Sequence, residues 1–292
     1  MLSVLIPTYN YVCVKLVSDL QRQAKELGCP YEILVADDAS EEVCKRENRK
    51  INLIPHCKYI ELEENVGRAH IRNILGYQAR YEYLLFIDSD AAVVSGCFLG
   101  NYMAVRRQAP VIYGGLVHPL KLPSPEMALA YRYEKHAEPR FTAERRARHP
   151  YEVFRTFNFM IRRDVFLKHP FDESIVRYGH EDTLFGKSLK ADGIAILHID
   201  NPLMNCGLDD GENLLRKTEE SLRTLYLLRG KLEGSSGILR LHGILKRFRM
   251  AGLVRRLFGV MRLLLRRNLL GRHPSLWAFG FYKIGFYCSI SR

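Results

Sequence analysis

A short apolar run leads directly into two spaced carboxylates in the segment Tyr83-Leu84-Leu85-Phe86-Ile87-Asp88-Ser89-Asp90. The apolar run predicts a buried strand over residues 83–87. If the chain turns after this strand, Asp88 and Asp90 can face a single divalent cation. Hard cations such as Mg²⁺ and Mn²⁺ prefer oxygen ligands and bridge phosphates. The segment therefore predicts a strand with a metal site at its carboxyl end.

Apolar runs and helical patterns alternate on both sides of this segment. Further strands are predicted at 2–6, 31–36, 58–62, 154–161 and 194–199. Helices are predicted at 12–27, 40–50, 67–80, 181–191 and 212–230, and a proline-rich loop with a short helix at 119–150. This alternation predicts an α/β fold with a Rossmann-like, mostly parallel sheet flanked by helices.

Polar clusters follow three of the predicted strands. They are Pro7-Thr8-Tyr9-Asn10, Asp37-Asp38 and Asp88-Ser89-Asp90. One acidic strand end could simply cap a helix. Because parallel sheets bind ligands at the carboxyl ends of their strands, three such clusters in one sheet favour a ligand site.

The helix predicted at 67–80 opens within Glu64-Asn65-Val66-Gly67-Arg68-Ala69-His70-Ile71-Arg72-Asn73. Helix N-termini attract anions, and arginine can contact a phosphate through two N–H groups. The segment is consistent with phosphate binding, and a solvated helix start is the alternative.

Taken together, these segments resemble the family 2 glycosyltransferases of the GT-A fold. The matching residues are Ser3 to Asn10, Asp37 to Ser40, Asn65 to Asn73 and Asp88 to Asp90, in the family's order and spacing. The resemblance covers roughly residues 1–225. It implies an inverting enzyme that moves a sugar from a nucleotide-sugar, here expected to be a UDP-sugar, to an acceptor hydroxyl.

The resemblance also implies roles for individual residues. The expected contacts to the nucleotide-sugar are Pro7, Tyr9, Asp38, Asn65, Gly67, Arg72 and Asp88. Among these, Pro7, Tyr9 and Asp38 would line the base pocket and Arg72 would lie near the diphosphate. Asp88 would face the ribose or the sugar.

A divalent cation, Mn²⁺ or Mg²⁺, is expected at Asp90 with Asp88. Relatives often add a histidine after the last strand, and this chain has Asn205 there, so the third protein ligand is open. The seven cysteines include no CxxC pair, which argues against a zinc site.

The segment Gly179-His180-Glu181-Asp182 resembles the acidic motif that handles the acceptor in this family. A sugar hydroxyl is a poor nucleophile, and a carboxylate placed beside it can take its proton during attack. We predict Asp182 as the base and Glu181 as an acceptor-binding residue. The alternative is a helix start whose first turn carries acids for electrostatic reasons alone.

The last 62 residues differ in character from the rest. Residues 231–292 hold thirteen Lys or Arg and one acid, Glu233, and so account for the whole net charge of +12. Apolar side chains share one helical face at Leu253, Leu257, Val260, Met261 and Leu264, opposite Arg255, Arg262 and Arg266. Interface-type aromatics follow at Trp277, Phe279, Phe281, Tyr282, Phe286 and Tyr287.

These features predict a catalytic domain over 1–230 and a basic amphipathic tail over 231–292 that binds an anionic membrane surface. Residues 1–110 would bind the nucleotide-sugar and 111–230 the glycan or lipid-linked acceptor of cell-surface polysaccharide synthesis. A helix packed on the catalytic domain is the alternative for the tail. Scattered cysteines, and the lack of a leader or an apolar spanning segment, predict a cytoplasmic protein at the inner face of the membrane.

Three rival functions fit parts of the pattern. A nucleotidyltransferase would need a glycine-rich loop after the first strand, and Pro7-Thr8-Tyr9-Asn10 is not one. A nucleic-acid binder could use the basic tail, although no nucleic acid is expected. An inactive glycosyltransferase-like scaffold is suggested by Asn205.

Overall fold

The computed structural model describes residues 1–175 and 178–291. These residues form two compact units. The first unit spans 1–117, 140–175 and 181–207, and the second spans 118–139, 178–180 and 208–291. Residues 208–230 thus group with the C-terminal helices, whereas we predicted them to be part of the catalytic domain.

A seven-stranded sheet forms the centre of the first unit. Its strands are β1 (Leu2–Thr8), β2 (Tyr31–Asp37), β3 (Cys57–Glu61), β4 (Tyr83–Ile87), β6 (Val111–Tyr113), β8 (Asn158–Arg162) and β9 (Ile196–His198). The spatial order is β3-β2-β1-β4-β8-β6-β9. The pairs among β1 to β4 are parallel, whereas β8 runs antiparallel to both neighbours. The predicted α/β fold with a mostly parallel sheet is therefore confirmed.

A second, three-stranded sheet lies in the same unit. Its strands are β5 (Ala91–Ala92), β7 (Leu116–Val117) and β10 (Leu203–Asn205), with β10 in the centre. Asn205 pairs with Ala91, which directly follows Asp90. The small sheet therefore brings the 205–207 segment beside the carboxyl end of β4.

Helices cover the main sheet. In the first unit they are α1 (Val14–Glu26), α2 (Glu42–Asn48), α3 (Arg68–Gln78), α4 (Phe98–Val105), α6 (Ala143–Ala147), α7 (Arg163–Lys168) and α8 (Glu181–Ala191). Alternate residues of β1 serve separate cores: Val4 and Ile6 pack with α1, and Leu5 packs with α3. This alternation is what a strand buried on both faces requires.

The second unit is helical within the described residues. Its helices are α5 (Ala128–Ala137), α9 (Gly211–Leu227), α10 (Gly237–Arg247), α11 (Ala251–Leu269) and α12 (Leu276–Ile290). Across residues 1–175 and 178–291, no helix combines the length and the apolar composition that spanning a bilayer requires.

The structure corrects the prediction that the aromatics of α12 lie at an interface. Phe279, Tyr282, Phe286 and Tyr287 are each at most 4% exposed, because they form the core of the second unit. Tyr282 also donates a 2.6 Å hydrogen bond to Glu219 of α9. Trp277 differs, with 91% of its surface exposed.

Candidate functional site

Asp38 ties the ends of the first two strands to the start of α3. Its backbone N–H donates to the Thr8 carbonyl at 2.9 Å, and its carboxylate accepts the N–H groups of Val66 (2.7 Å) and Gly67 (3.1 Å). The Asn65 amide donates to the Asp38 carbonyl at 3.0 Å. The structure thus brings three predicted contacts, Asp38, Asn65 and Gly67, into one hydrogen-bonded turn.

The turn before α3 depends on backbone geometry and on a buried charge. Gly67 has a φ of 85°, in the left-handed region that side chains disfavour. Burial raises the pKa of the Asp38 carboxyl, and the N–H groups of Val66 and Gly67 oppose that rise. Next to it, buried Asp37 accepts the Tyr59 hydroxyl at 2.6 Å, which fastens β2 to β3.

The loop after β1 is held against the loop after β2. Asn10 donates its N–H to the Ser40 hydroxyl and accepts the Glu41 N–H, both at 2.7 Å. Pro7 is half-buried at the end of β1, and Tyr9 follows with 55% of its surface exposed. An exposed ring on a fastened loop can stack on a flat ligand such as a nucleobase.

Arg72 and Asp88 form an ion pair at the end of β4. The Arg72 Nη2 lies 2.5 Å from the Asp88 Oδ1, and the arginine is only 2% exposed. Its Nη1 donates to the Arg68 carbonyl at 3.1 Å. Its buried Nε has no hydrogen-bond partner within the part of the chain that the structure describes. A buried guanidinium with spare donor capacity is suited to a phosphate.

Asp90 lies against the segment after β10. Its carbonyl accepts the Cys206 N–H at 2.9 Å, and a Cβ built on Gly207 would lie only 1.9 Å from the Asp90 Oδ2. Burial, and then the Asp90 charge, raise the pKa of the Cys206 thiol. Asn205 directs its Oδ1 to the Gly207 N–H at 2.9 Å, so this oxygen already has a donor. Gly207 therefore gives Asp90 room that no other residue would leave.

Asp88 and Asp90 suit a cation that takes most of its ligands from substrate phosphates and water. The described residues, 1–175 and 178–291, include no group of three or more His, Cys, Asp or Glu side chains that could hold a metal. Asp88 already pairs with Arg72. Mg²⁺ and Mn²⁺ are commonly held by one or two carboxylates with substrate phosphates and water. Asp90, with support from Asp88, fits that arrangement.

Glu181 and Asp182, at the start of α8, lie in different environments. The Glu181 carboxylate lies 3.7 Å from the Arg68 Nη1. Asp182 is half-buried, and its burial, together with the charge of Glu181, raises the pKa of its carboxyl from 3.8 to about 6, against the lowering effect of Arg155. A carboxylate with this pKa is a better proton acceptor than an ordinary aspartate near neutral pH.

Three residues that the sequence analysis did not single out contribute to the site. Arg68 lies near Glu181, the charge of Arg155 lowers the pKa of Asp182, and Gly207 makes room for Asp90. Each acts on a residue far away in the sequence, so no local pattern marks it. Arg68 and Arg72 are spaced four apart on α3, which was the one available signal that they share a face.

Comparison with known proteins identifies the fold and the family. The sequence profile described as "Glycosyl transferase family 2" matches residues 3–169. Among solved structures, a mannosyltransferase from Pyrobaculum calidifontis in complex with GDP-Man and Mn²⁺ is 15% identical, with a TM-score of 0.60, and the match covers 98% of this chain and 84% of that one. No curated protein sequence matches significantly.

A second solved relative is TarS of S. aureus. Residues 1–349 of TarS in complex with UDP-GlcNAc give a TM-score of 0.52 at 16% identity, over 99% of this chain and 90% of that chain. Against a longer TarS chain the TM-score is 0.50 at 19% identity, over 75% of this chain. The match there spans only 38% of that longer chain.

Proposed function

This chain belongs to glycosyl transferase family 2, and we propose that it transfers a sugar from a UDP-sugar to an acceptor hydroxyl with inversion at the anomeric carbon. That it is a glycosyltransferase follows from the family, and its structural neighbours share the fold. The nucleotide, the metal and the acceptor are the proposed parts. UDP is preferred because the sequence segments at Pro7, Tyr9 and Asp38 resemble those around a uracil pocket, and because one neighbour binds UDP-GlcNAc.

The proposal rests on the grouping of charged side chains at the ends of β2 and β4, which flank β1 in the sheet, and in α3, which follows β3. Asp38, the start of α3, the Arg72–Asp88 pair and Asp90 all follow strands that run parallel and adjacent in the sheet. Such an edge binds nucleotides in open α/β sheets. The buried Arg72 guanidinium offers a donor to the diphosphate, and the exposed Tyr9 ring offers a surface for the base.

The proposed chemistry uses Asp182 as the proton acceptor. The acceptor hydroxyl oxygen attacks the anomeric carbon on the side opposite the nucleoside diphosphate, whose bond to that carbon breaks. Asp182 takes the hydroxyl proton, and Glu181, held near Arg68, binds the acceptor. Mn²⁺ or Mg²⁺ at Asp90 and Asp88 would supply positive charge that stabilises the departing diphosphate.

We also propose that the acceptor is a glycan or lipid-linked precursor of a cell-surface polysaccharide, used at the cytoplasmic face of the membrane. The support is the charge of residues 231–292, which hold thirteen Lys or Arg and one acid. Clusters of basic residues favour anionic lipid surfaces.

The experiment that tests the metal and nucleotide assignment is titration of UDP into wild type and Asp90→Ala, with and without Mn²⁺. In wild type, Mn²⁺ should tighten UDP binding. In Asp90→Ala that gain and the turnover of UDP-sugar should disappear, because the cation would lose its carboxylate ligand. An Asp90→Ala protein that keeps the full Mn²⁺ effect would refute the assignment.

A further inference from the structure

Two helices of the second unit expose a row of apolar side chains. On α10 these are Leu241 and Ile244, with Phe248 at its C-cap, and on α11 they are Leu253, Leu257, Val260 and Leu264; together they are called the α10–α11 apolar face. Their exposure is high, reaching 83% for Val260 and 66% for Leu264 and Phe248. Spacings of three and four residues place each group on one side of its helix.

This face is distinct from the surface that packs α11 into its own unit. Phe258, Leu265 and Leu269 are the buried residues of α11, and Phe258 packs so closely on α12 that a Cβ on Gly285 would collide with its ring. At roughly 100° per residue, the exposed row lies about a quarter turn or more away from these buried residues. The helix is therefore already packed, and its exposed row is unused within the unit.

The arginines of α11 also fall into two groups, of which one pairs with acidic residues of α9 and the other is exposed. Arg262 lies 3.2 Å from Glu219 of α9, and Arg266 lies 2.5 Å from Glu212, so their charges are offset inside the unit. Arg256 and Arg267 are exposed instead, on the side of the helix beside Val260. Exposed arginines therefore border the exposed apolar row of α11.

The same combination recurs on α10. Arg240 and Arg247 are exposed and lie along one side of the row formed by Leu241, Ile244 and Phe248. No acidic residue occurs anywhere in 234–292. Both helices therefore present exposed apolar side chains next to positive charge, without negative charge from their own segment.

We propose that the α10–α11 apolar face inserts into the headgroup region of an anionic lipid bilayer. Large aliphatic side chains beside arginines match a surface that is apolar at depth and negative at its boundary. A second copy of this chain would bring like charges together, and nucleic acid would offer these aliphatic side chains no apolar phase. The inference deepens the proposed membrane location by naming the surface, and it does not depend on the identity of the sugar donor.

The test compares two variants of the full-length protein that are closely matched. Val260→Glu and Leu53→Glu each replace an aliphatic side chain of almost equal exposure, 83% and 84%, with a carboxylate. Binding is measured by sedimentation with vesicles of equal parts phosphatidylcholine and phosphatidylglycerol, and with phosphatidylcholine alone. Val260→Glu should bind the anionic vesicles about tenfold or more weakly than wild type, because an inserted side chain is lost and a repelled charge is added. Leu53→Glu should bind like wild type.

A second pair of variants tests the charge. Arg256→Gln with Arg267→Gln should weaken binding to the anionic vesicles about tenfold or more, whereas Lys15→Gln with Arg22→Gln should leave it unchanged. Lys15 and Arg22 are exposed cations that pair with Asp19 in the first unit. All four proteins should hydrolyse UDP-sugar equally without lipid, which separates this test from that of the sugar donor.

Three outcomes would overturn the proposal. The first is equal vesicle binding by Val260→Glu and Leu53→Glu. The second is a wild-type protein whose mass in solution doubles with concentration and falls back in Val260→Glu, since the face would then bind a second copy. The third is binding to an oligonucleotide that is tighter than to anionic vesicles and is weakened by Val260→Glu.

Discussion

Replacing Asp182 with asparagine should remove activity and, at the same time, stabilise the folded protein. The asparagine keeps the shape of the side chain but cannot accept a proton. Transfer should therefore slow by roughly 10²–10⁴-fold, which is the rate enhancement that a positioned base usually provides. Binding of UDP should stay close to that of wild type, because the proposed nucleotide contacts lie at other residues.

The stability gain follows from the raised pKa of Asp182. A carboxyl whose pKa rises from 3.8 to about 6 on folding favours the neutral form in the folded state. Its charged form costs folding free energy above pH 6, and this cost fades as the pH falls through 6 towards 4. Each pKa unit corresponds to about 1.4 kcal/mol, and partial exposure reduces the total, so Asp182→Asn should gain about 1–3 kcal/mol at pH 7.

Urea unfolding of wild type and Asp182→Asn at pH 7 and pH 4.5 measures this effect. The variant should be more stable at pH 7, and the difference should shrink at pH 4.5. Wild-type transfer should also lose activity below pH 6, because the base becomes protonated. An inactive Asp182→Asn that is less stable than wild type at pH 7 would contradict the reasoning. An active Asp182→Asn beside an inactive Glu181→Gln would show that the two roles are exchanged.

Two further variants test the geometry around the strand ends. Gly207→Ala should weaken Mn²⁺-dependent UDP binding while leaving UDP binding without metal unchanged, because its Cβ would push against the Asp90 carboxylate; equal metal dependence in both proteins would count against this role. Asp38→Ala should lower the free energy of unfolding by about 1–3 kcal/mol, because the N–H groups of Val66 and Gly67 lose their acceptor. Asp38→Ala should also weaken UDP binding, and a variant as stable as wild type in urea would contradict the first part.

The sequence was sufficient for the parts of the fold whose signal is local. β1, β2 and β4 are continuous apolar runs that pass directly into polar residues, and each was predicted within two residues at either end. The small sheet was missed because β5, β7 and β10 are only two or three residues long. Their pairing joins segments that are far apart in the chain, as in Asn205 with Ala91, and no local pattern encodes it.

The aromatic residues of α12 show where composition misleads. Phe279, Tyr282, Phe286 and Tyr287 are spaced as on a helix that lies in a membrane interface, but they are also spaced as on a helix that fills a core. The structure shows that these residues fill a core, because α9 and α11 pack against α12 and the aromatic side chains are buried. On α11 the predicted apolar face is exposed. The ion pairs that Arg262 and Arg266 form with glutamates of α9 could be seen only in the structure.

In the candidate site, too, some residues could be predicted from local sequence and others could not. The residues at strand ends could be predicted, because a strand end places its side chain at a known edge of the sheet. Arg68 beside Glu181 and Gly207 beside Asp90 could not, because each pair is more than a hundred residues apart in the chain. Such contacts are set by how α3, α8 and the small sheet pack together.

The proposed activity requires that this chain turn over a UDP-sugar with a divalent cation. The most direct test is to incubate the purified protein and Asp182→Asn with a panel of UDP- and GDP-sugars and Mn²⁺, and to measure release of the nucleoside diphosphate. We expect slow release of UDP from one UDP-sugar by wild type, and this release should be lost on chelation of the metal and strongly reduced in Asp182→Asn. Release of GDP alone, or release that Asp182→Asn and metal chelation leave unchanged, would contradict it.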